Sequence, residues 1–469
     1  EEELADFWAK HPAIDFYLVR EAEVAFAQLI STLREVNFEV EAVKRMDSPP
    51  ANAHYLENGK LIQGEILPRI KDLNEIPSPY LEGLMDKFFD SVLIPMMHTT
   101  RGCPFTCTFC TEGDRYYAKV TKRFELFDEL EYIAKRISIV PDLVITDANF
   151  GMFIEDIDKA KDIALIFKKY GWPKHIQVAG GKNQKDRLLE VATILEGRMD
   201  ISASMQSTDT EVLSNIKRSN ISYGELADLG DRSHKINARS FVEIILGLPG
   251  DSVRAHRQSL VDSIMSGVAL VRMHQLIMLP QTEMMLPASR EKYGIETKYR
   301  VATRSFGNYS LFGEKFISVE FDEVCVSQNS MNFQEYLECR MLDLTVELIH
   351  NGKVFRELFD LSGLLGLDWP KLVFDFYDRR DEHPPVLTDL YETFKNESGT
   401  GLWDSRKKLE CHVKENIDHY LKTSDGVNQL AISNAKARSF FFAQEALHNY
   451  FYSIFVESLT ANKMDTPEI

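Results

Sequence analysis

The sequence contains the segment Arg101-Gly-Cys103-Pro-Phe-Thr-Cys107-Thr-Phe-Cys110. It holds three of the six cysteines of the 469-residue chain, with C-x3-C-x2-C spacing. A β-rich run, residues 92–98, comes directly before it, so a loop at the end of a strand is expected to carry the cysteines. Six cysteines are too few for a disulfide scaffold in a chain of this length, and their crowding indicates metal chemistry in a reducing compartment.

The sequence on either side of this loop alternates β-rich runs with amphipathic stretches. Repeated βα units of this kind predict an α/β fold with a parallel sheet. Six units fit a partial TIM-like (β/α)6 barrel, where chemistry belongs at the carboxyl ends of the strands, and a doubly wound open sheet is the alternative. The predicted strands are 92–98, 142–147, 175–180, 200–206, 240–247 and 270–278, and the predicted helices are 124–137, 153–169, 184–196, 208–236 and 251–267.

Four regions are predicted along the chain. Residues 1–46 begin with a strand–helix unit, 47–90 are a connector rich in Pro and Gly punctuation, 91–290 are the barrel, and 291–469 are mostly helical. An aromatic-rich segment near the end is expected to pack on the barrel. The last region is predicted to contain one β-rich stretch, 316–326, and helices at 332–351, 353–366, 386–396, 404–422 and 430–458.

Composition excludes several classes of protein. Hydrophobic residues at 44% and charged residues at 27% are typical of a folded protein. A net charge of −18 without a dense Lys/Arg run argues against nucleic acid as a partner. No apolar run is long enough to span a membrane, and residues 1–30 show no secretion signal. A cytoplasmic location is therefore expected.

Three thiolates can hold three irons of a [4Fe–4S] cluster, which leaves the fourth iron open to a small molecule. A structural zinc site is one alternative, but zinc usually takes four ligands in two spaced pairs, and no second pair lies nearby. Ordinary packed cysteines are the other alternative, although three in one Gly/Pro-containing loop are unusual for a core.

The cysteine segment resembles the signature of the radical S-adenosylmethionine (SAM) superfamily. It has the same spacing, an aromatic residue, Phe109, before the last cysteine, and a position after the first barrel strand. The resemblance implies a [4Fe–4S] cluster on Cys103, Cys107 and Cys110 that cleaves SAM reductively to a 5′-deoxyadenosyl radical, with Phe109 against the cofactor. It also implies a small-molecule or natural-product substrate and an external electron donor such as flavodoxin or ferredoxin.

The resemblance assigns further residues to SAM at the ends of later strands. Asp147 and Asn149 lie where the superfamily binds the methionine amino group, although this segment suits a helix cap equally well. Ser204 and Gln206 lie on the strand that contacts the ribose and carboxylate.

The fifth strand resembles the stretch that packs against adenine. It supplies Gly247 for close backbone approach and Glu243 as a polar group inside an apolar run. Arg218 and Asn220 resemble positions near the cofactor, and a solvated helix end explains them equally well.

Segments before the cysteines resemble the cobalamin-binding branch of the superfamily, in which a Rossmann-like corrinoid domain precedes the barrel. Residues 1–46 then correspond to the end of that domain, and the Asp-x-His-x-x-Gly motif of its axial histidine is absent. Either an upstream domain is missing from the sequence or only a remnant is kept. With cobalamin, the resemblance implies methylation of an unactivated carbon. Without it, rearrangement, oxidation or bond cleavage is implied. A non-catalytic metal-stabilised binding protein is the remaining alternative.

Overall fold

The computed structural model describes most of the chain, and its residues form two compact units. One unit comprises Glu1–Asp90 with Thr121–Arg136, and the other comprises Ser91–Val120 with Ile137–Ile469. Residue 353, the predicted start of one helix, and parts of the first and last predicted regions lie outside the described residues. The described residues are 7–8, 11, 13–236, 238–302, 305, 307–351, 354–423 and 427–462.

The first unit is built on a small antiparallel sheet in the order β1-β2-β3. The turn between β2 and β3 is Asn58-Gly59, both with positive φ, as two-residue hairpins require. Because β1 pairs antiparallel with β2 and β2 with β3, this three-stranded sheet contains no parallel pair. Its elements are β1 (Tyr17–Leu18), α1 (Glu23–Glu35), α2 (Val40–Lys44), β2 (Ala53–Glu57), β3 (Lys60–Gln63) and α3 (Phe127–Ala134).

The second unit contains a strand within each of the six predicted strand regions. The first of them is shorter than predicted. The strands are β4 (Met96–Met97), β5 (Asp142–Phe150), β6 (His175–Gly180), β7 (Ile201–Gln206), β8 (Ser240–Leu246) and β9 (Leu270–Gln275). The helices between them are α4 (Asp156–Tyr170), α5 (Lys185–Ile194), α6 (Thr210–Asn215), α7 (Tyr223–Lys235) and α8 (Val253–Met265).

These strands pair in parallel in the order of the sequence. One sheet is β4-β5-β6 and the other is β7-β8-β9, and a parallel bridge between Ile176 and Met199 links them. Parallel strands joined by helices are an α/β fold, as predicted. The predicted helix 208–236 is wrong in one respect, since it is two helices. Lys217 has a left-handed φ of 53°, and Ser222 then caps α7.

The described residues after 286 form helices together with two antiparallel strand pairs, β10 with β13 and β11 with β12. The single predicted stretch 316–326 therefore covers parts of two strands. The strands are β10 (Glu296–Val301), β11 (Gly307–Leu311), β12 (Glu314–Ser318) and β13 (Phe321–Ser327). The helices are α9 (Pro287–Tyr293), α10 (Phe333–Val346), α11 (Arg356–Leu365), α12 (Trp369–Asp378), α13 (Pro385–Thr400), α14 (Arg406–Glu415), α15 (Ile417–Thr423), α16 (Val427–Arg438) and α17 (Gln444–Ala461).

The aromatic-rich final segment packs differently from the prediction. Phe451 is fully buried against Phe355 and Trp369, at ring-centroid distances of 4.6 and 5.5 Å, within the helical region. The adjacent Phe440–Phe442 stretch is exposed, so the prediction that it packs on the barrel is wrong. Among the helices that the structure describes, none is long and apolar enough to cross a membrane.

Candidate functional site

The cysteine loop follows β4 and is fixed by backbone hydrogen bonds. The amide of Cys103 donates to Tyr117 O at 3.0 Å, and that of Cys110 donates to Cys107 O at 3.2 Å. A Cβ on Gly113 would lie 2.2 Å from the Cys107 carbonyl oxygen, so only glycine fits there. Cys103 and Cys107 are buried, Cys110 is half-buried, and all three are free thiols.

Asp147 anchors the chain just before this loop. Its Oδ1 accepts from the Thr99 amide at 2.7 Å, and its Oδ2 accepts from the hydroxyls of Thr99 and of Thr100, the latter at 2.7 Å. All three residues are buried. The Asp147 carboxylate therefore faces Thr99 and Thr100, which lead into the cysteine loop, and both of its oxygens accept hydrogen bonds from them.

A buried ion pair extends this anchor. Lys159 Nζ lies 2.9 Å from Thr99 Oγ1 and 3.0 Å from Asp156 Oδ1. Asp156 also accepts from the amides of Gly151 and Phe153, at 2.8 and 3.0 Å. Burial raises the pKa of Asp156, although Lys159 opposes that shift. Sequence reasoning missed this network, because a Lys three residues after an Asp on an amphipathic helix reads as a solvated pair.

Donor groups surround the sulfurs of the first two cysteines. Asn149 Nδ2 donates to Cys103 Sγ at 3.2 Å. Lys182 Nζ lies 3.9 Å from Cys103 Sγ and 3.7 Å from Cys107 Sγ, and Arg218 Nη1 is also 3.7 Å from Cys107 Sγ. Asn149, predicted from its strand position, is therefore beside the cysteine loop.

Three basic residues line one small pocket next to this loop. Arg218 donates through Nη2 to the Ser204 carbonyl and through Nε to Asn220 Oδ1 at 2.9 Å. Lys182, Lys185 and Arg218 all face the pocket, together with Ala203–Met205 and Ser219–Ile221. Burial and the neighbouring Arg218 lower the pKa of Lys185 to about 8. Basic side chains are therefore concentrated around this pocket, which has room for about one water molecule in this structure.

Ser204 and Glu243 meet across β7 and β8. Ser204 Oγ donates to Glu243 Oε2 at 2.6 Å, and His274 Nε2 on β9 lies 3.8 Å from Glu243 Oε1. Burial works against the charged form, but hydrogen bonds from His274 and Ser204 hold the pKa of Glu243 below its usual value. Glu243 is therefore a carboxylate held between neighbouring strands.

Gln206 ends β7 in an unusual conformation. It is 7% exposed with a left-handed φ of 65°, and its buried Oε1 has no hydrogen-bond partner among the described residues. A buried polar atom without a partner costs about 1–3 kcal/mol, which indicates a site for a donor from a ligand. Gln206 was predicted from its place on the strand.

The last two predicted residues are Gly247 and Phe109. Gly247 has a φ of 91°, and its amide donates to Asp251 Oδ2 at 3.1 Å. Phe109 packs on an apolar cluster and so anchors the cysteine loop to the core of the unit. That cluster consists of Val212, Ile216, Leu248, Leu276, Met278, Met284 and Cys325.

The donor set fits an iron–sulfur cluster. Within the described ranges, no group of three or more His, Cys, Asp or Glu side chains is already disposed as metal ligands. The three thiols share one loop and must turn toward a common centre to bind. Lys182 and Arg218 beside the thiols suit an anionic cluster, three irons of which the three cysteines can hold.

Two curated relatives match most of the chain. It is 30% identical over 366 residues to the cobalamin-dependent radical SAM methyltransferase TokK of Streptomyces tokunonensis, covering 75% of this chain and 52% of TokK. It is 29% identical over 370 residues to 2-(S-pantetheinyl)-carbapenam-3-carboxylate methyltransferase of Streptantibioticus cattleyicolor, again covering 75% of this chain and 52% of the relative. The chain thus spans about half the length of these curated relatives.

Similarity to solved structures is more distant. The radical SAM methyltransferase TsrM of Kitasatospora setae, solved with tryptophan and a SAM analogue, aligns with a TM-score of 0.48 at 14% identity, covering 63% of this chain and 58% of TsrM. No protein-family model matches the chain.

Proposed function

Because this chain belongs to the radical SAM superfamily and is similar to its cobalamin-dependent branch, we propose that it binds a [4Fe–4S] cluster through Cys103, Cys107 and Cys110 and cleaves SAM reductively. The observation that carries the proposal is the cysteine loop after β4, with Asn149, Lys182 and Arg218 around its sulfurs. The six βα units, paired in chain order, are proposed to form a partial (β/α)6 barrel.

When bound, such a cluster with one open iron supplies an electron to the SAM sulfonium, which yields methionine and a 5′-deoxyadenosyl radical. The protein's own contribution is to hold and shield the reactants. Burial of Cys103 and Cys107 excludes water from two of the ligands. Asp147 fixes the backbone of Thr99 and Thr100, so the loop is positioned before it binds.

The proposed SAM contacts lie around the basic pocket. Lys185 and Arg218 supply positive charge for the methionine carboxylate. Glu243, charged at neutral pH, and Gln206, with its free Oε1, can each accept a hydrogen bond from a ribose hydroxyl. Ser204 orients Glu243 through its 2.6 Å hydrogen bond, and the backbone after β8, where Gly247 has a φ of 91°, is proposed to lie against adenine.

Methylation of a small-molecule carbon with cobalamin as second cofactor is the proposed overall reaction. The support is the similarity to TokK, whose name states that it is a cobalamin-dependent methyltransferase. The sequence has no Asp-x-His-x-x-Gly motif, and the described part of the first unit has no parallel sheet. No residue of this chain is therefore assigned to cobalamin, and no step is derived through it.

The proposal extends to partners and location. An external reductant of the flavodoxin or ferredoxin type is proposed, because reductive cleavage of SAM consumes an electron that the chain must receive from a donor. The net charge of −18 argues against a nucleic-acid partner. A cytoplasmic location suits six cysteines that are all free thiols.

Anaerobic reconstitution with iron and sulfide tests the proposal. The wild-type chain should take up about four irons, show cluster absorbance, and form 5′-deoxyadenosine from SAM with a chemical reductant. Cys107→Ala should lose both properties, whereas Cys411→Ala, which changes an exposed cysteine outside the motif, should keep them. Zinc without iron in the wild-type protein, or full retention by Cys107→Ala, contradicts the proposal.

A further inference from the structure

The turn that follows β8, Gly247-Leu248-Pro249-Gly250-Asp251, is held by a side chain from far along the sequence. Gln328 Nε2 donates to the Leu248 carbonyl at 2.6 Å, and Gln328 Oε1 accepts from the Gly250 amide at 2.9 Å. Gln328 is 6% exposed and follows β13 directly. One amide group therefore ties both sides of the turn together.

Two other side chains also form hydrogen bonds to this turn. Ser330 Oγ donates to the Asp251 carbonyl at 2.7 Å, and Asn215 Nδ2 donates to the Pro249 carbonyl at 3.1 Å. Both glycines of the turn have a φ of 91°, a conformation that is not stable by itself in most residues. The hydrogen bonds to these carbonyls therefore keep the turn in one conformation.

We propose that Gln328 is a positioning residue for SAM, acting through the Gly247–Asp251 turn. This inference rests on the proposed function, in which Gly247 presents its backbone to adenine. A backbone surface has no side chain to adapt, so its affinity depends on how well the turn is preorganised. The hydrogen bonds of the Gln328 side chain go to the turn, and the basic pocket is lined by other residues.

The same hydrogen bonds give the region after residue 300 a part in supporting the turn. Cys325 and Gln328, from β13 and the residue after it, contact Leu276 and the turn through hydrogen bonds of 2.6–2.9 Å. This segment is therefore part of the support for the SAM site. Removal of the region is therefore expected to weaken SAM binding.

Three variants of the reconstituted full chain separate positioning from general stability. Gln328→Ala removes all three side-chain hydrogen bonds to the turn, including a 3.5 Å bond from Nε2 to the Asp251 carbonyl. Gln328→Glu keeps the acceptor for the Gly250 amide and loses the donor to Leu248 O. Asn329→Ala is the control, because Asn329 is the next residue and its side chain donates to Lys292 O, outside the turn.

The readouts are KM for SAM, kcat for 5′-deoxyadenosine formation, cluster absorbance, and hydrogen exchange of the peptide that covers Gly247–Asp251. Gln328→Ala should raise KM by about tenfold, the size expected for a lost buried hydrogen bond, with cluster absorbance and kcat nearly unchanged. Exchange in the turn should speed up. Gln328→Glu should raise KM at least as far, because a carboxylate oxygen then faces the Leu248 and Asp251 carbonyls, and Asn329→Ala should match wild type.

An unchanged KM in Gln328→Ala overturns the positioning role, and so does a fall in kcat and cluster content with KM unchanged. If Gln328→Ala does not fold, Gln328→Glu tests the positioning role instead. A wild-type KM and wild-type exchange in Gln328→Glu also overturn the role. A wild-type protein that forms no 5′-deoxyadenosine overturns the proposed function and this inference with it.

Discussion

The ammonium group of Lys182 lies 3.7 Å from the sulfur of Cys107. It is also 3.9 Å from Cys103 Sγ, so one positive charge faces two of the three thiols proposed to bind the cluster. A cation at this distance stabilises the more negative, reduced form of a cluster and thereby raises its reduction potential.

Lys182→Met should therefore lower the reduction potential of the cluster, and Lys182→Arg should keep it near the wild-type value. A potentiometric titration followed by electron paramagnetic resonance measures this without SAM. Lys161→Met, on the exposed side of α4, is the charge-matched control and should leave the potential unchanged. Equal potentials for Lys182→Met and wild type would show that Lys182 has no electrostatic effect on the cluster.

Asp147→Asn should reduce the stability of the cysteine loop. The new amide keeps one acceptor for the Thr99 amide but loses the charged acceptor for two buried hydroxyls, a loss of about 1–3 kcal/mol in the free energy of unfolding. Chemical denaturation measures this loss, and iron content after reconstitution should fall as well. Asp158→Asn changes an exposed carboxylate on α4 and should do neither.

Lys185 gives the unfolding free energy a specific pH dependence. Its pKa is lowered from 10.5 to about 8 in the folded chain, so the unfolded chain holds one more proton between these values. Its contribution to stability is therefore unfavourable below pH 8 and becomes less so as the pH rises toward 10.5, with an upper limit of about 3 kcal/mol.

Lys185→Met should lack this rise, so the unfolding free energy of wild type should increase relative to that of the variant between pH 7 and 10, as measured by denaturation. Lys161→Met again serves as the control, because Lys161 is exposed. A wild-type pH profile in Lys185→Met would contradict the assignment of the lowered pKa to Lys185.

Glu243→Gln should weaken the binding of SAM. The variant loses the charged acceptor held by Ser204 and His274, and KM for SAM should rise about tenfold. Cluster absorbance should not change, because the hydrogen bonds of Glu243 go to Ser204 and His274 on neighbouring strands and not to the cysteine loop. Glu190→Gln, at an exposed position on α5, should leave KM at the wild-type value.

The strands of the second unit could be predicted because each is an apolar β-rich run between turn signals, as in Ser240–Leu246. The hairpin of β11 and β12 could not, since its residues are almost all exposed and show no alternation of buried and exposed positions. The break after α6 was missed because a left-handed Lys217 carries no signal in composition.

The same limits apply to the site. The cysteines and Asn149 follow from spacing and strand position, and the structure places Asn149 beside Cys103. The partner of Asp147 does not follow, because alternation along a strand cannot tell which neighbouring backbone a carboxylate meets. The 2.6 Å contact between Ser204 and Glu243 depends on the register of β7 against β8, which is irregular between Val242 and Ile244. The contacts of Gln328 could be predicted even less, since its partners lie 78–80 residues earlier in the sequence.

Electron paramagnetic resonance of the reduced, anaerobically reconstituted chain, recorded with and without SAM, tests the central claim most directly. A [4Fe–4S] cluster with one open iron on Cys103, Cys107 and Cys110 predicts a cluster signal that changes when SAM is added and that is absent in Cys107→Ala. A chain that shows no cluster signal, or a signal that SAM leaves unchanged, would contradict it.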